Sequence, residues 1–145
     1  MSGRAELHDW ERELIDGLRV ARLGSIARDG RPHLVPVCYA RVGGEFAVAI
    51  DEKPKRGGEL ARLRNIRRDP RVTLLFDQYD DDWRQLAWVR VDGEAAVFER
   101  GEKRRDALAA LRSRYPQYRE MRLEALPLIA IRALNIASWR WERGS

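Results

Sequence analysis

Three cations, Lys53, Lys55 and Arg56, stand close together, followed by Gly57-Gly58. They precede a stretch with helical character, 59–68, which Asp69-Pro70 ends. Ammonium and guanidinium groups beside the unpaired N–H groups of a helix start make an anion site, and glycine lets the backbone approach a ligand. Without an anion, cations at the positive end of a helix dipole are mildly unfavourable. The chemistry expected is capture of a phosphate. The ordinary alternative is a solvated basic loop.

The remaining candidates are weaker. Pro36 interrupts a good strand pattern, so it belongs at an edge, at a bulge or where a ligand meets the backbone. Pro36-Val37-Cys38 is then either a backbone platform for a flat ligand or a bulged buried strand. Cys38, the lone cysteine, has no base implied beside it and reads as core rather than nucleophile. His33 follows a turn and reads as a polar edge residue. Asp80-Asp81-Asp82 lacks the alternating ligand spacing of a calcium loop, so a solvated loop is expected and no metal site. Trp83 beside it is an aromatic in a polar loop, the pattern of an interface or stacking surface. Trp139 and Trp141 alternate with Arg140 and suit a barrel core or a dimer contact. No Ser/His/Asp set, carboxylate pair or P-loop is present in the sequence. Any redox chemistry would belong to a bound cofactor.

These residues need elements to position them. Leu7, Trp10, Leu14, Leu18 and Ala21 have helical spacing, which predicts an N-terminal helix within 1–21. The period then becomes two. Leu23–Ala27 and His33–Tyr39 flank Arg28-Asp29-Gly30-Arg31, a hairpin signal, and Gly43-Gly44 turns the chain into the strand Phe46–Ile50. After the helix near 59–68 comes a strand at 71–77. Leu86–Val91 is expected to pair with Glu94–Glu99 through a second hairpin at Asp92-Gly93. Residues 102–114 are helical, with a further short helix near 117–125. Leu128–Arg132 and Ile136–Trp141 read as two closing strands. Six to seven antiparallel strands with peripheral helices, mainly β, predict a small barrel over 22–142, an arrangement that removes exposed sheet edges.

The chain has 145 residues, the size of one domain, 1–145. Its 28 Lys+Arg exceed 23 Asp+Glu by five, yet the arginines are interleaved with acids along the chain. That pattern is a solvated surface, and nucleic-acid binding is not expected. No apolar run reaches the roughly 20 residues of a membrane span, and no signal peptide is visible. One cysteine excludes an internal disulfide and fits a reducing, cytoplasmic setting. With two histidines, a zinc site is not expected.

Four segments together resemble the split β-barrel of the flavin/deazaflavin oxidoreductases, the pyridoxamine 5′-phosphate oxidase superfamily. They are Leu23–His33, Val35-Pro36-Val37, Lys53-Pro54-Lys55-Arg56 and Asn65-Ile66-Arg67-Arg68-Asp69-Pro70-Arg71-Val72. The likeness covers about 20–140. The Lys-Pro-Lys-Arg and Tyr-Asp-Asp-Asp-Trp segments look most like an actinobacterial, deazaflavin-dependent branch.

The resemblance implies a cofactor site. Its phosphate-binding loop falls on Lys53, Lys55 and Arg56, with Asn65 nearby. The strand behind the tricyclic ring falls on Pro36, Val37 and Cys38, and the neighbouring strand end on Ala49, Ile50 and Asp51. It implies a homodimer in which two subunits share each site, and Trp83 takes the place of the aromatic supplied by the partner. The family's FMN-dependent oxidases carry basic residues along the strand matching 33–39. Here that strand has no Lys or Arg, which tilts the implied cofactor from FMN towards coenzyme F-420, a deazaflavin. The function implied is hydride transfer to a small organic substrate. The alternatives are an FMN-binding oxidase or flavin reductase, and a binding protein without turnover.

Overall fold

The computed structural model describes residues 3–50 and 59–142. Seven strands form one antiparallel sheet: β1 (Ala21–Ile26), β2 (Pro32–Val37), β3 (Tyr39–Val42), β4 (Glu45–Ala49), β5 (Arg71–Gln78), β6 (Ala87–Phe98) and β7 (Leu128–Arg140), in the order β2-β1-β5-β6-β7-β4-β3. The two edge strands, β2 and β3, are consecutive in the chain with only Cys38 between them. The sheet must therefore curl until its edges meet at that residue. The expected split barrel is present, with helices α1 (Asp9–Gly17), α2 (Ala61–Arg68) and α3 (Glu102–Arg114) around it.

Period-two alternation fills the barrel. Val35, Leu23, Leu74, Val91 and Ile136 are cross-strand partners in one row through β2, β1, β5, β6 and β7. All belong to, or pack against, one core with Phe46, Val48, Phe76, Ile129 and Ile131. The Tyr39 ring sits edge-on to Phe76, 4.9 Å between centroids. Its hydroxyl donates to the carbonyls of Ile15 and Leu18, which closes α1 over the barrel. Burial holds the Tyr39 phenol up, at about 12.

The turn at 27–31 forms as expected, with Gly30 at φ 87° and Gly30 N–H donating to the Ala27 carbonyl. Several expectations are corrected. Asp92-Gly93 makes no hairpin: β6 runs straight through, and β7 is likewise one strand where two were expected. Register slips there instead, Asp92 pairing with Asn135 and Gly93 with Ala133, so Leu134 is the extra residue of a bulge. A Cβ on Gly93 would overlap the Arg132 carbonyl oxygen, so glycine serves a close backbone approach rather than a turn.

The N-terminal helix is shorter than 1–21 because residues from Ala21 pair as β1. The strand expected through Tyr39 divides at Cys38. The helix expected at 59–68 starts at Ala61, Leu60 being extended at φ −59° and ψ 147°. The expected helix near 117–125 is only a 3-10 turn, Pro116–Arg119, entered at Pro116.

Candidate functional site

The segment Lys53-Pro54-Lys55-Arg56, with Asp51, lies outside the described residues. Helix α2 and the β1–β2 turn enclose a cleft of about 710 Å³, lined among others by Arg28, His33, Arg64, Asn65 and Arg68. Three guanidiniums face one carboxylate there, that of Asp29, which is itself 3.6 Å from Arg31. The Nδ1 atom of His33 is buried and has no hydrogen-bond partner among the described residues. The groups of the cleft that an anionic ligand could reach are its guanidiniums.

Local sequence explains how α2 is set. Asn65 is buried, its Nδ2 donating to Ser25 Oγ on β1 (3.2 Å) while its Oδ1 accepts from Arg68 (3.0 Å). Arg68 also donates to the Ile26 carbonyl at 2.8 Å. Asp69 ends the helix and accepts from the N–H, Nε and Nη2 of Arg71. Those bonds hold its carboxyl down, at about 2. The Asn-x-x-x-Asp-Pro-Arg-Val run thus clamps α2 between β1 and β5. Among the described residues no side chain caps the start of α2 and its first turn holds no acid, so the N–H groups of Ala61 and Arg62 keep their capacity for an anion.

The expected ring platform falls at the barrel seam. Tyr39 pairs with Val48, so Cys38 comes beside Ala49. Val37, Ala49 and Ile50 are buried, and Cys38 packs against the cluster beneath α3. Their side chains belong to cores, which leaves backbone to meet a ring. Pro36 is exposed on edge strand β2, opposite Arg22, where its missing N–H costs no ladder bond. Asn65 and His33 sit at the far end of β2 from Val37, four residues away, or about 13 Å of strand. Trp83 begins a 3-10 turn between β5 and β6 and stands 67% exposed in the single chain. Asp82 pairs with Arg84 and caps that turn.

Arg28, His33, Arg64 and Arg68 were not among the expected site residues. The signal for two of them was available: Ala61, Arg64, Asn65 and Arg68 have i, i+3, i+4 and i+7 spacing, one face of a helix. What placed that face against the β1–β2 turn was tertiary.

The pyridoxamine 5′-phosphate oxidase family matches the chain over residues 7–140. A conserved hypothetical protein from Mycobacterium tuberculosis shares 26% identity and a TM-score of 0.72, over 97% of this chain and 90% of that one. A heme binding protein from Mycobacterium smegmatis shares 18% identity and a TM-score of 0.75 over 92% of this chain. It is longer, and the match spans 54% of it. A FAD-binding protein from Mesorhizobium loti shares 22% identity and a TM-score of 0.65, over 91% of this chain and 94% of that one. At these identities the last two show a common fold and no more.

Proposed function

The chain belongs to the pyridoxamine 5′-phosphate oxidase family, and on that premise we propose that it is a deazaflavin-dependent oxidoreductase that takes coenzyme F-420. The observation that carries this reading is the cleft lined by Arg28, Arg64 and Arg68. Three guanidiniums exceed what one phosphate ester needs, and they fit a cofactor whose phosphate continues into further anionic groups. Lys53, Lys55 and Arg56 would add to the same anion site. Strand β2 carries no Lys or Arg, which supports a departure from the vitamin B6 reaction.

The cofactor would supply a hydride-carrying ring; the chain's part is binding and orientation. Backbone at Pro36, Val37, Cys38, Ala49 and Ile50 would brace the ring, and the cations would fix the tail. A second copy of the chain would bring Trp83 to the site. The outer face of β2, β1, β5 and the facing halves of β6 and β7 supports that pairing. It presents Leu34, Trp88, Leu134 and Trp139, with Leu34 70% exposed.

Titration of the purified protein with F-420, FMN and heme, followed by tryptophan quenching and absorbance, tests the proposal. Binding of F-420 in the micromolar range, weaker for FMN, is expected. Lys55→Ala with Arg56→Ala should weaken it by a few kcal/mol if both make charge-assisted bonds. Tight FMN binding without F-420 would replace the cofactor. Heme binding with neither flavin would remove the oxidoreductase reading.

A further inference from the structure

Arg104 lies in the first turn of α3 and is only 5% exposed. Its Nη2 donates to the carbonyls of Leu123 and Leu126, both at 2.6 Å. Its Nε is buried without a hydrogen-bond partner, and no carboxylate lies within ion-pair distance among the described residues. Carbonyls occupy guanidinium protons but do not neutralise the charge. Burying a charge without a counter-ion is costly.

Beside Arg104 is a cavity of about 160 Å³ between α3 and the outer face of the sheet. Its origin is a row of small residues. Ala96, Ala130, Ala47 and Ala40 are cross-strand partners through β6, β7, β4 and β3. Ala47 and Ala130 line the cavity, with Phe98 and Leu128 as apolar walls. Lys103 is at its edge, 4.9 Å above the Phe98 ring and 2.6 Å from the Glu45 carboxylate, so those two charges cancel each other. The other acid of the lining, Asp106, is solvent-exposed on the helix. The net effect is a chamber with apolar walls and one buried cation, Arg104, whose nearest acid, Glu124, is already ion-paired with Arg112 at 2.7 Å.

We propose that this cavity binds a small apolar carboxylate. Its hydrocarbon part rests on Ala47, Ala130 and Phe98, and its carboxylate is the counter-ion of Arg104. A dry cavity of about 150 Å³ takes one benzene ring, which sets the size class at a single ring or a short chain. The site shares no lining residue with the cationic cleft, so it stands or falls apart from the cofactor.

Phenylacetate and its uncharged analogue 2-phenylethanol are the probes, read by NMR of the alanine methyls in the full chain. Saturable shifts are expected at Ala47, Ala107 and Ala130, with phenylacetate tighter by roughly tenfold or more. Arg104→Met should erase that preference. Because Arg104 also ties down the 123–126 turn, Ala130→Leu is the second variant. It fills the chamber and should abolish phenylacetate binding with the fold retained. Equal affinity for acid and alcohol, shifts confined to β2 or α2, no saturable binding at millimolar probe, or undiminished binding to Ala130→Leu would each overturn the proposal.

Discussion

The outer surface of the barrel has two halves built on opposite plans. Under α3, the outward positions of β3, β4 and β7 include a row of alanines, Ala40, Ala47 and Ala130, with Ala49 and Leu128 beside it. A helix can approach that floor closely, and Leu108 and Leu111 of α3 are buried against its cluster. Across the bulge at Leu134, the outward positions include Leu34, Leu75, Trp88 and Trp139, set among Arg22, Gly24, Thr73, Asp77, Arg90 and Asp92, and no helix among the described residues covers them. A row of alanines stands where the chain supplies its own cover, and Leu and Trp set among charged residues where it does not. An exposed set of Leu and Trp on a sheet face is the composition of an interface. The second copy proposed above would be the cover on that face.

The sharpest way to break it is at the junction. Gly93→Ala would press a methyl against the Arg132 carbonyl, which is backbone and cannot swing away. About 4 kcal/mol of destabilisation, or failure to fold, is expected by urea melt. Ordinary stability in the Gly93→Ala variant would mean that the halves are not held at this register. The covered half comes next. Leu111→Ala removes a fully buried side chain and should cost about 3 kcal/mol in the same assay. A cost below about 1 kcal/mol would mean that α3 rests only loosely on its alanine floor.

How much of this was readable in the residues differs between the halves. The strands with clean alternation, such as Leu23 with Leu74 in the core row, followed from period two. The Asp92-Gly93 pair misled because a turn and a bulge use the same residues; only the Arg132 carbonyl opposite Gly93 separates them. The covered half was half legible. Leu108 and Leu111 marked α3, but alanines at 40, 47, 96 and 130 carry no signal until the register aligns them. In the candidate site, Asn65 followed only from the family resemblance. Its bonds to Ser25 and Arg68, and the assembly of Arg64 and His33 into one cleft, depend on contacts between α2 and the β1–β2 turn that no local pattern encodes.

A third prediction concerns the strap that ends the uncovered half. Glu11 of α1 is fully buried. It accepts from the Arg4 guanidinium at 2.6 and 2.9 Å and from the His8 N–H at 2.7 Å, with Ser138 of β7 also bonded. Burial alone would raise its pKa, but these bonds reverse the effect and bring it to about 2 from 4.5. A folded pKa below the unfolded one gives stability that is complete above pH 4.5 and lost as the pH falls from there towards 2. The contribution is roughly 2–3 kcal/mol. Urea midpoints at about pH 6 and about pH 3 should differ in the native chain, and Glu11→Gln should narrow that difference. An unchanged difference would place the acid sensitivity elsewhere.

The smallest effect on the single chain decides what covers the open half. Leu34→Ser and Trp139→Ser change residues that water already reaches, so at high dilution stability should move by less than about 0.5 kcal/mol. Association should respond differently. If a second copy buries these side chains, the native chain sediments as a dimer, and the double variant shifts to monomer at concentrations where the native protein does not. Its melting temperature should then lose its dependence on protein concentration. A native chain that sediments as a monomer at every concentration would leave Leu34 and Trp139 without a partner of their own kind. The contrast between the two halves would then reflect a different ligand on that face, and Trp83 would have no site to complete.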